Sequence, residues 1–255
     1  MKTFIHLVWS DLKRLWSYRI ILFIFVLTVI FTLAIALFPA LDPSNFIYVS
    51  IFILPVIIFS ISLFIDREEG TLLPFVFSPM KSAYLVFSKV ISALIVQLIP
   101  IIFILGAMAF TMSDEMAFME TAEINALFFD FFLIFLAYLL GSILHILIGL
   151  SLSIISKTSS ILSLSYVVYI IVFSLTAIMY SNGIIPLKFQ YFLIVSPAFL
   201  SGVLIDNVIA GAAYSETWLI VLAVGLQVAY AVLLTLFVII PYFKQYVVAT
   251  ETAKN

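Results

Sequence analysis

An all-α membrane protein with six transmembrane helices is the fold class this sequence predicts, and three observations carry that expectation. First, 65% of the 255 residues are hydrophobic and only 9% are charged, against about one quarter charged in a soluble domain. No water-soluble fold hides that much apolar surface, so the bilayer is the solvent. Second, apolar runs at 20–38, 46–65, 83–110, 126–155, 161–180 and 218–240 reach or approach the about 20 residues needed to cross about 30 Å of hydrocarbon. Third, the charges between those runs segregate by sign.

Residues 1–19 form the first element. Ile5, Val8, Trp9, Leu12, Leu15 and Trp16 share one face of a helical period over 4–18, and His6, Ser10, Lys13, Arg14 and Ser17 occupy the other. Tryptophan with lysine and arginine suits a helix lying in the membrane interface. It reads as a positive anchor that sets topology, as an elbow that braces the first span and meets a cytoplasmic partner, or as both. The segment is too polar for a cleavable signal, and no small-residue cleavage site follows the first apolar run.

Spans one and two fill 20–65, joined by a turn at Asp42, Pro43, Ser44 and Asn45. A charged loop follows at 66–82, then spans three to five over 83–180; the third and fourth are long enough to tilt or project from the bilayer. In 181–217 a further apolar piece, 184–203, is interrupted by Pro186, Lys188, Gln190 and Pro197. That predicts a broken re-entrant or interfacial hairpin, buried so that its backbone is satisfied, rather than a seventh span. Span six covers 218–240 and a tail covers 241–255.

The positive-inside rule gives the orientation. Lys2, Lys13, Arg14, Arg19, Arg67, Lys81, Lys89, Lys157, Lys244 and Lys254 fall on one side, ten of the eleven basic residues, and only Lys188 falls on the other. The opposite side carries Asp42, Asp114, Glu115, Glu120, Glu123, Asp206 and Glu216. Both termini are therefore expected in the cytoplasm of a prokaryotic cell, with the chain in its plasma membrane. The chain has no cysteine, which excludes disulfides and cysteine-based zinc or redox sites.

The stretch 66–89, DREEGTLLPFVFSPMKSAYLVFSK, is the one long charged interruption. Asp66, Glu68 and Glu69 with Arg67 stand at the exit of span two, and acids favour a helix N-terminus. A short helix from about Arg67 to Phe77 is expected, carrying Leu72, Leu73, Phe75, Val76 and Phe77 and ending before Ser78-Pro79. Pro74 fits its first turns or kinks it. Such a helix lies flat on the membrane or inserts into a cleft on a partner.

Asp66-Arg67-Glu68-Glu69-Gly70-Thr71, then Ser78-Pro79, then Lys89 at the start of the next span, resembles the ABC-2 type permeases. Their usual form is Glu-Arg-Glu-x-Gly-Thr, then Ser-Pro, then Gly-Lys. The resemblance covers most of the chain, and the polar break at Lys157-Thr158 looks most like the permeases of fluoroquinolone-type drug exporters. This sequence departs from the pattern with Asp66 for Glu, Ser88 for Gly, and Phe75 and Phe77 where an acid often sits. The resemblance implies that Asp66, Arg67, Glu68, Glu69, Gly70, Thr71, Leu72, Phe75, Ser78 and Pro79 belong to a coupling helix that docks on an ATP-binding subunit. The chain has no Gly-x-x-x-x-Gly-Lys-Ser/Thr phosphate loop. ATP and Mg would therefore sit on separate partners, two ATPase subunits serving two permease chains, identical or homologous. This chain would carry no cofactor, metal or catalytic residue.

Inside the spans, His145 either bonds a helix carbonyl or serves function. Asp130 snorkels outward or meets a cation in an exit path. Gly141, Ser142, Gly149, Ser151 and Ser153 suit close helix packing. By the resemblance, spans two and five line the path. Ser50, Phe59 and Ser62 with Tyr166, Tyr169 and Phe173 are the candidates there, and aromatics with hydroxyls suit an amphipathic cargo. The near absence of embedded charge argues against an inorganic ion or a highly charged sugar. The expected cargo is drug-like or a small membrane-active peptide, with a lipid or polysaccharide precursor as the alternative.

Three rivals remain. Glu68-Glu69 has the form of an intramembrane CAAX-type protease pair, but Leu73 stands where that chemistry needs arginine. An ion-coupled secondary transporter needs repeats and midplane ionisable groups, and His145 is the one midplane candidate. A purely structural or sensory subunit of a similar complex would leave transport to other chains.

Overall fold

Six helices long and apolar enough to cross a membrane make up most of the chain in the computed structural model. It describes residues 2–38, 42–72, 74, 81–112, 121–209 and 217–252; it is about 90% helical, with no strand among the described residues. Such a chain is compatible with a multi-pass membrane protein. The helices are α1 (Lys2–Ser17), α2 (Ile20–Leu37), α3 (Pro43–Glu68), α4 (Ser82–Thr111), α5 (Thr121–Ile155), α6 (Ser159–Ser181) and α7 (Pro197–Ile209). The last, α8, runs from Thr217 to Thr252, with Thr217–Phe243 as its apolar part. The long apolar helices are α2 to α6 and α8.

Helix ends follow local chemistry. Asp42 caps α3: its Oδ1 accepts from Ser44 N–H at 2.8 Å, with Pro43 at the first helical position. Thr158 caps α6 by accepting from Ile161 N–H at 3.3 Å. Between α1 and α2 the backbone turns through Arg19 in the left-handed region, at φ 59°.

The helices are unequally buried. Within the apolar window 72% of α3 is buried, against 17% of α2, 22% of α6 and 17% of α8. So α3 is the axis of the packing, with α4 and α5 against it and the other three on the outside. The expected small-residue contacts of α5 fall here. A Cβ on Gly149 would sit 3.0–3.2 Å from the backbone of Pro55 and Val56, and one on Gly141 would sit 2.9 Å from Ile51 Cγ2. Only a bare Cα permits this approach.

Three helices contain π turns: Val49–Ile53 in α3, Ile170–Ser174 in α6 and Leu234–Ile239 in α8. Two of them end two residues before a proline, Pro55 and Pro241. A proline lacks the N–H and crowds the carbonyl four residues back, and a widened turn relieves both. The turn in α6 has no proline near it.

Two large apolar cores stack along the bundle, beside a small third one of Val56, Leu144, Ile148 and Tyr169. One gathers Ile47, Tyr48, Phe52, Tyr138, Phe199 and Leu204, toward the end that holds Asp42 and Asp206; we call this the acidic end. The other gathers Leu7, Leu15, Leu63, Leu72, Leu85 and Phe243, toward the basic end that holds Arg14, Arg67 and Lys89. The interrupted piece 184–203 breaks at Ser196, and α7 begins at Pro197. Thirteen residues long, α7 is buried over 198–205, and it packs against α5, α6 and α8.

The face of α1 turned to the bundle is Leu7, Asp11 and Leu15, whereas Ile5, Trp9 and Trp16 are exposed. The tryptophan stripe suits a lipid interface, and the bundle takes the narrower stripe that carries an acid. The short helix expected from Arg67 does not start there: Arg67 and Glu68 are the last turn of α3. A turn at 69–72 follows, in which Gly70 adopts φ 69°. A left-handed glycine stops a helix, and Arg67 is held back by the partners described next.

Candidate functional site

Asp66 closes α3 on its buried side, 1% exposed. Its carboxylate pairs with Lys89 Nζ, from the second turn of α4. Arg14 Nε of α1 lies 3.9 Å from Asp66 Oδ1. Asp11, one turn earlier on α1, is also buried; it pairs with Arg14, receives Lys89 Nζ at 3.2 Å, and accepts from Ser88 Oγ at 2.9 Å. Two carboxylates and two cations thus alternate between α1, α3 and α4. Each buried charge has an opposite neighbour, and such pairing is what permits burial.

The turn after Asp66 is tied to the same group. Thr71 N–H and Oγ1 donate to the Asp66 carbonyl at 3.1 and 3.0 Å, and Arg14 Nη1 donates to Thr71 Oγ1 at 3.4 Å. Tyr18 hydroxyl lies 2.6 Å from Glu69 Oε2 and 3.1 Å from Asp66 Oδ1. Its single proton goes to the nearer carboxylate. Burial, and then these acceptors, push the Tyr18 phenol well above its ordinary value. Leu72 plugs the lower core, 1% exposed.

Arg67 points the other way. Its Nη1 and Nη2 donate to the carbonyls of Ser156 and Lys157 at 3.1 and 3.2 Å, just past the end of α5. A cation on those free carbonyls satisfies them and opposes the helix dipole. The guanidinium lies between two rings, 4.4 Å from the Phe64 centroid and 4.5 Å from that of Tyr246 on α8. Tyr246 hydroxyl bonds Ser153 Oγ at 2.7 Å, and burial pushes its phenol up to about 12. Glu68, half exposed, pairs with Arg67 at 3.1 Å.

Of the loop residues singled out from sequence, Asp66, Arg67, Glu68, Glu69, Gly70, Thr71 and Leu72 therefore meet at one end of the bundle. Phe75, Ser78 and Pro79 lie outside the described residues. Asp11, Tyr18, Ser156 and Tyr246 were not singled out. The signal for Asp11 was its place midway between Leu7 and Leu15 on one helical stripe; Tyr18 and Tyr246 left none.

Of the proposed path residues, Tyr169 and Phe173 have ring centroids 5.3 Å apart and share one small cluster with Tyr166. Ser50, Phe59, Ser62 and Tyr169 are buried, and Tyr166 and Phe173 are half-buried. Ser50 Oγ bonds the Phe46 carbonyl at 2.8 Å, and Tyr166 hydroxyl bonds Ser163 Oγ at 3.3 Å. His145 takes the helix-carbonyl reading: Nδ1 lies 2.7 Å from the Gly141 carbonyl, so Nδ1 carries the proton. Its ring packs on Phe52 at 5.2 Å and Tyr169 at 6.0 Å. Phe52 is sixteen residues from Glu68 along α3, about 24 Å at helical rise, so His145 and the glutamates do not converge. Asp130 is exposed on α5. No protein-family model matches the chain, and no curated protein was found to be similar to it.

Proposed function

We propose that this chain is the permease subunit of an ATP-driven exporter of the ABC-2 type, providing half of a translocation path through a prokaryotic plasma membrane. The observation that carries the reading is how the 66–71 turn is anchored. Asp66 binds α4 through Lys89 and α1 through Arg14; Arg67 binds the end of α5 and Tyr246 of α8. Pressure on that turn would move α1, α3, α4, α5 and α8 together, which is what transmission from a soluble motor requires. The order Asp66 to Thr71, Ser78-Pro79 and Lys89 supports the same reading, with Lys89 as the partner of Asp66.

By the positive-inside rule the basic end faces the cytoplasm with both termini. There α1 serves as the elbow, with Trp9 and Trp16 toward the lipid interface. The loop after α3 is the coupling element, and α7 belongs to a re-entrant hairpin on the far side. ATP and Mg are bound by two separate subunits, and a second permease chain completes the path. The chain itself performs no chemistry. Cargo is hydrophobic or amphipathic, drug-like or a small membrane-active peptide, consistent with the near absence of charge in the spans.

Two variants test the coupling role. Gly70→Pro demands φ near −65° where the chain holds 69°, and Glu68→Arg sets a second cation beside Arg67. Both are expected to insert in the membrane normally and to lose cargo-stimulated ATP hydrolysis by the complex. Normal transport by both would remove the coupling assignment.

A further inference from the structure

Three helices meet around one carboxylate at the acidic end. Asp206, near the end of α7, accepts from Ser181 Oγ, the last residue of α6, at 2.5 Å. Tyr48 hydroxyl of α3 lies 2.8 Å from Ser181 Oγ; because Ser181 gives its proton to Asp206, Tyr48 is the donor. Beside this relay Asn182 Nδ2 donates to Asn45 Oδ1 at 2.9 Å, and Asn45 Nδ2 to Asn182 Oδ1 at 3.4 Å. Ser181, Asn182 and Asp206 line a cavity of about 530 Å³ together with Asp42, Tyr180 and Asn207, and among the described residues none that lines it is basic.

The surroundings of Asp206 are one-sided. From α3 it faces Asp42 and Tyr48, and from α6 Tyr180 and Ser181. Span α8 contributes Leu219 to the cavity. Span α5 carries Glu123, Asp130, Tyr138 and His145 as titratable groups; Asp130 is exposed, Tyr138 hydroxyl donates to Gln97 at 2.8 Å, and His145 Nδ1 bonds the Gly141 carbonyl. Burial first, and then the Asp42 charge, push the Asp206 carboxyl up to about 7.

We propose that Tyr48, Ser181 and Asp206 form a proton-operated latch that holds α3, α6 and α7 together, closed when Asp206 is protonated and released when it ionises beside Asp42. The inference stands on these contacts and does not need the transport reading. Ionised and closed, Asp206 is poorly hydrated and repelled by Asp42. Released, it is hydrated and ordinary. The arrangement that holds the proton more tightly is favoured in acid. From an ordinary 3.8 to the raised value of about 7, closure loses up to about tenfold per pH unit, and above that nothing more.

The chain has no cysteine, so a pair introduced as N45C and N182C reports closure without background. The pair is joined by a short bifunctional thiol reagent in open membrane fragments, at about pH 5.5 and about pH 7.5, with and without D206N; dividing by the D206N yield removes the pH dependence of the thiols. The divided yield is expected to fall by roughly tenfold or more from the acid to the neutral sample. A second variant, Y48F, removes the relay donor and keeps the carboxylate. It is expected to lower crosslinking in the acid sample severalfold. A divided yield that does not change with pH, or full acid crosslinking in Y48F, overturns the latch.

Discussion

The two ends of this bundle handle buried carboxylates in opposite ways. At the basic end Asp11 and Asp66 alternate with Arg14 and Lys89. At the acidic end, among the described residues, Asp206 has a second carboxylate, Asp42, as its charged neighbour and accepts from the Ser181 hydroxyl. Alternating charges fix a geometry, because each group is needed to keep the next one buried. Carboxylates without a cation make a geometry conditional on a proton. On the proposed reading, one end transmits a displacement and the other responds to its medium.

That contrast can be broken most severely at Asp66. Asp66→Ala leaves Lys89 buried with one carboxylate in place of two, and breaking a buried pair costs about 3–5 kcal/mol. Loss of folded protein on detergent extraction is the expected result. Gly149→Ala comes next. Its new methyl meets the α3 backbone rather than a flexible side chain, and overpacking of that kind costs about 1–3 kcal/mol, read as a lower unfolding temperature. Arg67→Lys keeps the charge and loses the two-pronged contact with the Ser156 and Lys157 carbonyls. It should loosen the junction between α5 and α6, seen as faster hydrogen exchange there, with smaller loss of global stability. Tyr18→Phe removes a single hydrogen bond to Glu69, about 1 kcal/mol, and should be the mildest change at this end.

At the other end the contrast predicts a dependence on pH. Asp206 holds its proton in the folded chain up to about 7 and would lose it near 3.8 when solvated. The folded state therefore binds more protons in that window, and stability falls as pH rises through it. Asp206→Asn should flatten this part of the stability profile and leave the rest in place. A slope unchanged by Asp206→Asn would remove the difference between the two ends.

How far the sequence revealed this depended on the kind of interaction. Apolar length placed six long helices, because crossing hydrocarbon sets a length that any sequence must meet. Asp42 to Asn45 read as a turn before a span starting at 46, whereas the helix already begins at Pro43 with Asp42 as its cap. The end of α3 was misjudged. Acids at 66, 68 and 69 looked like a first helical turn, and the partners that make them a last turn come from far along the chain: Lys89, Ser156 and Tyr246. Asp11 was hidden for the same reason, a single acid among lysines and arginines whose burial depends on Lys89 and Ser88. Two π turns could be linked to Pro55 and Pro241, whereas the one at Ile170–Ser174 has no local cause in the residues around it.

The most direct test of the central claim is purification of this chain from its native membrane in mild detergent, after crosslinking in place, with mass spectrometry of everything bound. The account predicts a stoichiometric protein carrying a phosphate loop, crosslinked through residues 66–89. Recovery of the chain without any such ATPase would contradict it, and the anchored turn at Asp66 would then need a different partner.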